Sequence, residues 1–285
     1  GQTVEPYFNI EIPAIMGVMS ALVLAFVLGI GLSKIKNSAM LKVAEEFNQI
    51  VLMIVTNVLI PLVPIYIGCV FAKLSYSGEI FNTLKSFGIV YVLLFALQLT
   101  YICIQYCIAG AIKKQNPFKL IKNMVPAYMT AVGTQSSAAT IPVTLQCVKK
   151  NDVNEEVLDF VVPLGATIHL AGDTITLVLT SMAVMYMNGQ TPTFGMIMPF
   201  IFMLGVTMVA APGVPGGGVM AALGLLESML GFGAIEKPIM IALHAAQDSF
   251  GTATNVTGDG AIAILVDYII NKKKGNSISK EDKVI

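Results

Sequence analysis

The chain has 285 residues, 55% of them hydrophobic and 12% charged, with a formal net charge of +0 and a mean hydropathy of +0.78. Soluble domains carry about 25% charged residues, so this chain cannot hide its apolar surface in one aqueous core. It also lacks any basic run interleaved with aromatics of the kind a nucleic-acid groove needs, which excludes nucleic acid as a partner and points to the lipid bilayer instead.

In chain order, Pro13 to Leu32, Val51 to Ala72 and Ser86 to Ile112 contain no charge. About 20 residues of helix cross the hydrocarbon, so these read as transmembrane helices. The N-terminus begins Gly1-Gln2-Thr3 with no initiator Met and no signal-peptide pattern, and the chain is expected to be a fragment. The expected segments are Pro13 to Leu32, Lys42 to Ala72 and a helix over 86–112, then a hairpin over 117–150, a helix over 155–187, a second hairpin over 194–232 and a last helix over 238–271. There is no arginine. With that arrangement Lys34, Lys36, Lys42, Lys113, Lys114, Lys119, Lys122, Lys149, Lys150 and Lys272 to Lys274 share one side, against Lys73, Lys85 and Lys237 on the other. The lysine-rich side is cytoplasmic by the positive-inside rule and holds the C-terminus. The first helix then enters from outside, as expected if an odd number of spans precedes it.

Segment 117–150 begins and ends in lysines of one side, while its middle, Gly133-Thr134-Gln135-Ser136-Ser137-Ala138-Ala139-Thr140, is small and hydroxylated. Two full crossings need about 20 residues each, so a re-entrant helical hairpin is expected. Segment 194–232 repeats the design from the other face, with Pro212-Gly213-Val214-Pro215-Gly216-Gly217-Gly218 at its tip. Such breaks are tolerated at membrane depth where backbone lines a cavity. Each hairpin is followed by a helix with acidic groups and an expected local break. Two such units of opposite orientation mark an inverted-repeat secondary transporter with its site between the repeats.

Three acids fall inside apolar segments: Asp173, Asp248 and Asp259. A charge at the bilayer centre costs about 2.5–3.5 kcal/mol on insertion scales, so it persists where a partner or an ion compensates it. The plainer alternative for Asp173 and Asp259 is pairing with backbone at helix breaks. The two histidines, His169 and His244, fall beside these acids and suit either structural hydrogen bonding or a proton-linked role. The hydroxyls of the first tip either cap helix ends or accompany free N–H groups at helix N-termini that bind a carboxylate. Cys69, Cys103, Cys107 and Cys147 sit in apolar segments without neighbouring ligands and read as small hydrophobes.

Taken together, Gln135-Ser136-Ser137-Ala138-Ala139-Thr140-Ile141-Pro142, Gly213-Val214-Pro215-Gly216-Gly217-Gly218 and Asn255-Val256-Thr257-Gly258-Asp259 resemble the dicarboxylate/amino acid:cation symporters, which include the glutamate transporters. The resemblance runs from Pro13 to Asp267, and family members have three further helices before this region. It implies an all-α membrane protein with a scaffold in residues 1–82, a moving transport part in 83–285, a homotrimeric assembly and a plasma-membrane location. It further implies that the Ser137 backbone, Thr252 and Asn255 hold a substrate α-carboxylate, with Ser136 at the same tip, and that Asp248 holds the α-amino group. Val214, Pro215 and Gly218 belong to the segment that closes over the substrate. The resemblance also implies that Asn255, Asp259 and the Gly165 carbonyl form one sodium site, and that carbonyls around Thr167 and the second hairpin form a second.

The departures are informative. The family's Asn-Met-Asp-Gly-Thr is here His169-Leu170-Ala171-Gly172-Asp173, which puts histidine beside the ion sites and an acid at the substrate. The arginine that grips acidic side chains is replaced by Gly251 or Gln135. A small neutral amino acid is therefore the expected cargo, with sodium as the coupling ion; a basic side chain reaching Asp173 and proton-coupled transport of an amino acid or dicarboxylate are the alternatives. An intramembrane aspartyl protease would require Gly-x-Gly-Asp, which fails at Val256. A channel would share the polar lumen but not coupled uptake.

Overall fold

The computed structural model describes residues 16, 18–35, 38–54, 57–58, 60–76, 80–211, 213 and 215–281. Among these it is all helical, with α1 (Val18–Ser33), α2 (Ala39–Ile54), α3 (Ile60–Tyr76), α4 (Ile80–Lys113), α5 (Pro117–Thr134), α6 (Ser137–Lys149), α7 (Glu155–Ile168), α8 (Ala171–Met187), α9 (Phe194–Met208), α10 (Gly217–Leu230) and α11 (Glu236–Glu281). Three helical runs, Phe87–Lys113, Glu155–Met187 and Glu236–Lys272, are long and apolar enough to cross a bilayer.

Within the segment expected from Lys42 to Ala72 the described residues form two helices, α2 and α3. Pro61 stands at the second position of α3, where its missing N–H costs nothing. Helix α4 starts at Ile80, so the division expected after residue 82 falls within its first turn.

Local chemistry sets the other boundaries. Asn116 caps α5 ahead of Pro117, its side chain accepting from the Phe118 N–H at 2.9 Å. Gln135 ends α5 in the left-handed region at φ 52°, and Ser136 caps α6 by accepting from the Ala139 N–H. Asn154 caps α7, whose first turn carries Glu155 and Glu156, favourable at the positive end of a helix. Gly216 at φ 73° and Gly231 at φ 70° bracket α10 with a backbone conformation that glycine adopts without strain. Helices α5 and α6 form one helix–turn–helix pair, α9 and α10 another, each packed within itself.

Two apolar clusters flank α11. Its N-terminal part, with Met240 and Leu243, packs with α8, α9 and α10 through Leu177, Phe200 and Leu226. Its C-terminal part, with Val256 and Ile264, packs with α4 to α7 through Tyr106, Met124 and Val162. Each helical hairpin thus has its own core on a different stretch of α11, and the polar residues lie where the two cores meet.

The break expected after the first hairpin is present at His169–Leu170, between α7 and α8. The break expected in the last helix is absent: α11 runs through Gly251, Gly258 and Gly260 uninterrupted. Gly258 and Gly260 act as notches. A Cβ on Gly258 would run into the His169 ring, and one on Gly260 would lie 2.6 Å from the Tyr106 hydroxyl. Gly172, opposite Gly251, would drive its Cβ into the Gly251 carbonyl, backbone against backbone.

Gly172→Ala is therefore expected to destabilise the protein by about 1–3 kcal/mol, as overpacking of a close contact does. Gly205→Ala in α9, where a Cβ meets nothing within 4 Å, should be neutral or gain up to about 1 kcal/mol in helix propensity. Thermal melts of both variants in detergent compare the two; equal melting temperatures would remove the notch.

Candidate substrate and cation site

The broken ends of α8 are held by side chains of α11. Helix α8 has no capping side chain at Leu170; instead Gly172 N–H donates to Asn255 Oδ1 at 2.7 Å. The same amide donates through Nδ2 to Asp173 Oδ2 at 2.6 Å, and His244 Nε2 lies 2.8 Å from Asp173 Oδ1. With Nε2–H donating to the carboxylate, His244 Nδ1 is left buried without a partner. Asp173, His244 and Asn255 are 4%, 1% and 2% exposed, and a buried carboxylate is tolerated only with such donors.

The two tips meet on this cluster. Ser136 Oγ donates to the Gly213 carbonyl at 3.0 Å, linking the first tip to the second. Gly216 N–H donates to Asp248 Oδ2 at 2.7 Å, and Thr252 Oγ1 lies 3.4 Å from Asp248 Oδ1. Gln135 Nε2 donates to Ser249 Oγ at 2.9 Å. Between them is a cavity of about 10 Å³, lined by Gln135 and Ser137, by Gly213 and Gly218, by Leu170 and Asp173, and by Asp248, Thr252 and Asn255 of α11. Gly218 is required here, because a Cβ would lie 2.8 Å from Asp173 Oδ1.

Asp259, one turn beyond Asn255, is 1% exposed and has its own partner. His169 Nδ1 lies 2.9 Å from Asp259 Oδ1, and the other ring nitrogen faces the Tyr101 hydroxyl at 3.4 Å. Gln105 Nε2 donates to that hydroxyl at 2.9 Å, while its Oε1 is buried without a partner. Gly165 lies against the Asp259 carboxylate, and its carbonyl accepts the His169 N–H at 2.8 Å.

Of the residues singled out in the sequence, Ser137, Asp173, Gly218, Asp248, Thr252 and Asn255 line the one cavity, and Ser136 closes its edge. Gly165, His169 and Asp259 form the second group. Gly251 faces the start of α8 rather than the cavity, and Pro215 lies in the turn before α10. Val214 lies outside the described residues. Thr167 is exposed, with its hydroxyl donating back to Leu164 O. Gln98, Tyr101 and Gln105 were missed. They stand at i, i+3 and i+7 on the apolar α4 and reach α8, His169 and one another. That polar row on one face of an apolar helix was the available signal.

Residues 1–269 match the profile of the Sodium:dicarboxylate symporter family. The chain belongs to this family. Excitatory amino acid transporter 1 of Ambystoma tigrinum is 30% identical over 182 residues, 61% of this chain and 33% of that protein. The human protein of the same name is 29% identical over 181 residues, with the same coverage of 61% and 33%. Human neutral amino acid transporter A is 29% identical over 174 residues, 60% of this chain and 32% of its own length. The chain thus spans about a third of these relatives. Membership in a family of symporters excludes the protease reading.

Asn255 is expected to carry the junction of α8 and α11. Asn255→Ala leaves the Gly172 N–H and one Asp173 oxygen unpaired, at about 1–3 kcal/mol for each group. Asn255→Asp adds like charge against Asp173 and should melt lower still. Melting temperatures in detergent decide; an unchanged value for either variant would show that the clamp carries no weight.

Proposed function

We propose that this chain is the substrate-carrying part of a secondary active transporter that moves a small neutral amino acid together with sodium. One observation carries the reading, namely the company kept by Asp248. Of the three buried acids in the polar belt, Asp173 is paired with His244 and Asp259 with His169, whereas Asp248 hydrogen-bonds only to the Gly216 N–H and the Thr252 hydroxyl, with the neighbouring His244 ring bonded to Asp173 instead. A carboxylate so placed lacks a cation, and an α-ammonium supplies one with three charge-assisted donors. The start of α6 at Ser137, with Thr252 opposite, suits the α-carboxylate, because free N–H groups at a helix N-terminus favour an anion.

The cavity presents Gln135 and Asp173 and no basic side chain, which supports a neutral cargo. Sodium binds at Asp259 with the Gly165 carbonyl and Asn255, and a second ion binds near Thr167. Helices α5, α6, α9 and α10 have 18, 13, 15 and 14 residues. At 1.5 Å per residue they span roughly 20–27 Å, short of the hydrocarbon thickness of about 30 Å, which supports two re-entrant hairpins. Residues 1–82 serve as scaffold, and 83–285 shift across the plasma membrane, with the tip around Gly213–Gly218 as gate and the C-terminus cytoplasmic. The assembly is a homotrimer. The membrane potential supplies about 2.3 kcal/mol per elementary charge per 100 mV for inward movement. The 2.9 Å contact of His169 with Asp259 favours one second reading, in which a proton on His169 takes the place of a coupled sodium.

Uptake of labelled alanine, serine and aspartate by the full-length protein in vesicles, with sodium and proton gradients imposed separately, tests both readings. Sodium-driven uptake is expected; uptake driven only by protons selects the second reading, and uptake without any gradient rejects coupling. Asp248→Asn should abolish uptake while the protein still inserts, and wild-type affinity in this variant would remove Asp248 from the site.

Aspartate should be rejected, since its second carboxylate would be buried without a counter-charge and would meet Asp173. Gly251→Arg alone is expected to pair with Asp173 and close the pocket, because Gly251 faces the start of α8, 3.7 Å from the Asp173 nitrogen to a Cβ. With Asp173→Thr the arginine loses that internal partner, and its long side chain, reaching past the start of α8 to the cavity, should raise the affinity for aspartate. Competition binding separates these outcomes, and tight aspartate binding by the unmodified protein would sink the idea.

A further inference from the structure

We propose that Asp173, His244 and Asp248 form a site for a single divalent cation of the zinc, cobalt and nickel class, separate from the cation site at Asp259, and that this ion and the amino acid exclude each other. The three side chains are all buried, and each offers one ligand atom within 4.8 Å of the others. Helix α8 supplies Asp173, and α11 supplies His244 and Asp248 four residues apart, hence on one face.

Charge and size independently favour an ion. Two carboxylates border the cavity, and none of its lining residues is basic. With a neutral imidazole the cluster carries two negative charges in a low-dielectric setting, where uncompensated charge is expensive. A dipositive ion cancels them; a zwitterion adds no net charge and cannot. The cavity of about 10 Å³ is near the lower limit for one water molecule, so in this closed arrangement it fits a monatomic ion and not an amino acid. One imidazole nitrogen with two carboxylates suits zinc, cobalt or nickel, whereas calcium and magnesium prefer oxygen alone. Zinc sits about 2.0–2.2 Å from such ligands, so the 2.8 Å separation of His244 Nε2 and Asp173 Oδ1 has to widen by roughly half an ångström as the ion replaces the shared proton. The mutual exclusion rests on the reading of this pocket as the amino-acid site; the binding of the ion does not.

The full-length protein, purified in detergent through a tag without histidine, is titrated with Co²⁺ by visible absorption and with Zn²⁺ by calorimetry. One ion per chain is expected, with Kd on the order of micromolar and a Co²⁺ spectrum of nitrogen and oxygen ligation. His244→Gln and Asp173→Asn should each weaken it by about 100-fold or more, while Asp259→Asn leaves it unchanged. His244→Cys should keep the ion and add a sulfur-to-cobalt charge-transfer band, which reports the site even if His244→Gln does not fold. Absence of saturable binding, binding that survives both substitutions in folded protein, or loss of binding in Asp259→Asn overturns the proposal. In proteoliposomes Zn²⁺ should inhibit amino-acid uptake competitively and reversibly by chelation. Stoichiometric binding with uptake untouched would uphold the ion site and remove this pocket from the substrate path.

Discussion

A helix interrupted inside an apolar environment must find partners for its freed backbone groups, and here one amide side chain supplies them. Asn255 accepts from Gly172 at the start of α8 and donates to Asp173, which in turn is held by His244. Remove this chain of bonds and three groups are stranded where water cannot replace them: a backbone N–H, a carboxylate and an imidazole. The break between α7 and α8, the orientation of Asp173 and the close approach of Gly172 to Gly251 all depend on it. It ties α8 to α11 at the boundary between the two apolar cores, so each hairpin can pack independently while its tip is referred to the same fixed point.

Histidine accounts for the rest of the electrostatics. The polar belt holds Asp173, Asp248 and Asp259, and the chain has two histidines, both placed against one of these acids. Imidazole serves this purpose because it is compact, donates from either nitrogen and carries charge only when protonated. A lysine would bring a permanent charge on a flexible stem into the same low-dielectric space. The consequence is an uneven distribution: two acids have titratable partners and Asp248 has only neutral donors.

The helical class, the pairing of helices about two turns and a helix break after the first pair were legible in the sequence, whereas the grouping of Asp248, Thr252 and Asn255 came from the family resemblance. Hydrophobic length, glycine and proline punctuation and rare charges are local signals, and local signals survive without coordinates. One expectation differs from the structure. The local break expected in the last helix is absent, because glycine in a long helix also admits a neighbour, as at Gly258 and Gly260, and only tertiary contact distinguishes the two uses. The pairing of His169 with Asp259, 90 residues apart, and of Asp173 with His244, 71 apart, could not be read either. Proximity in sequence put each histidine beside an acid, but the bonds cross between helices.

Among the described residues, two hydrogen bonds of the second tip close the cavity. The second tip is held by Ser136 Oγ to Gly213 O, between neutral groups, and by Gly216 N–H to the Asp248 carboxylate, with charge assistance. Net values of about 0.5–1.5 and 1.5–3 kcal/mol respectively sum to roughly 2–4.5 kcal/mol, which corresponds to a bias of roughly 30- to 2000-fold toward the closed tip. A minor open population of that size is accessible to an incoming solute without any large driving force. Gly216 N–H occupies one oxygen of Asp248, so on the proposed transporter reading an arriving ammonium would exchange one donor for a stronger one and release the tip from the carboxylate. The same carboxylate would then serve both to hold the tip and to receive the cargo.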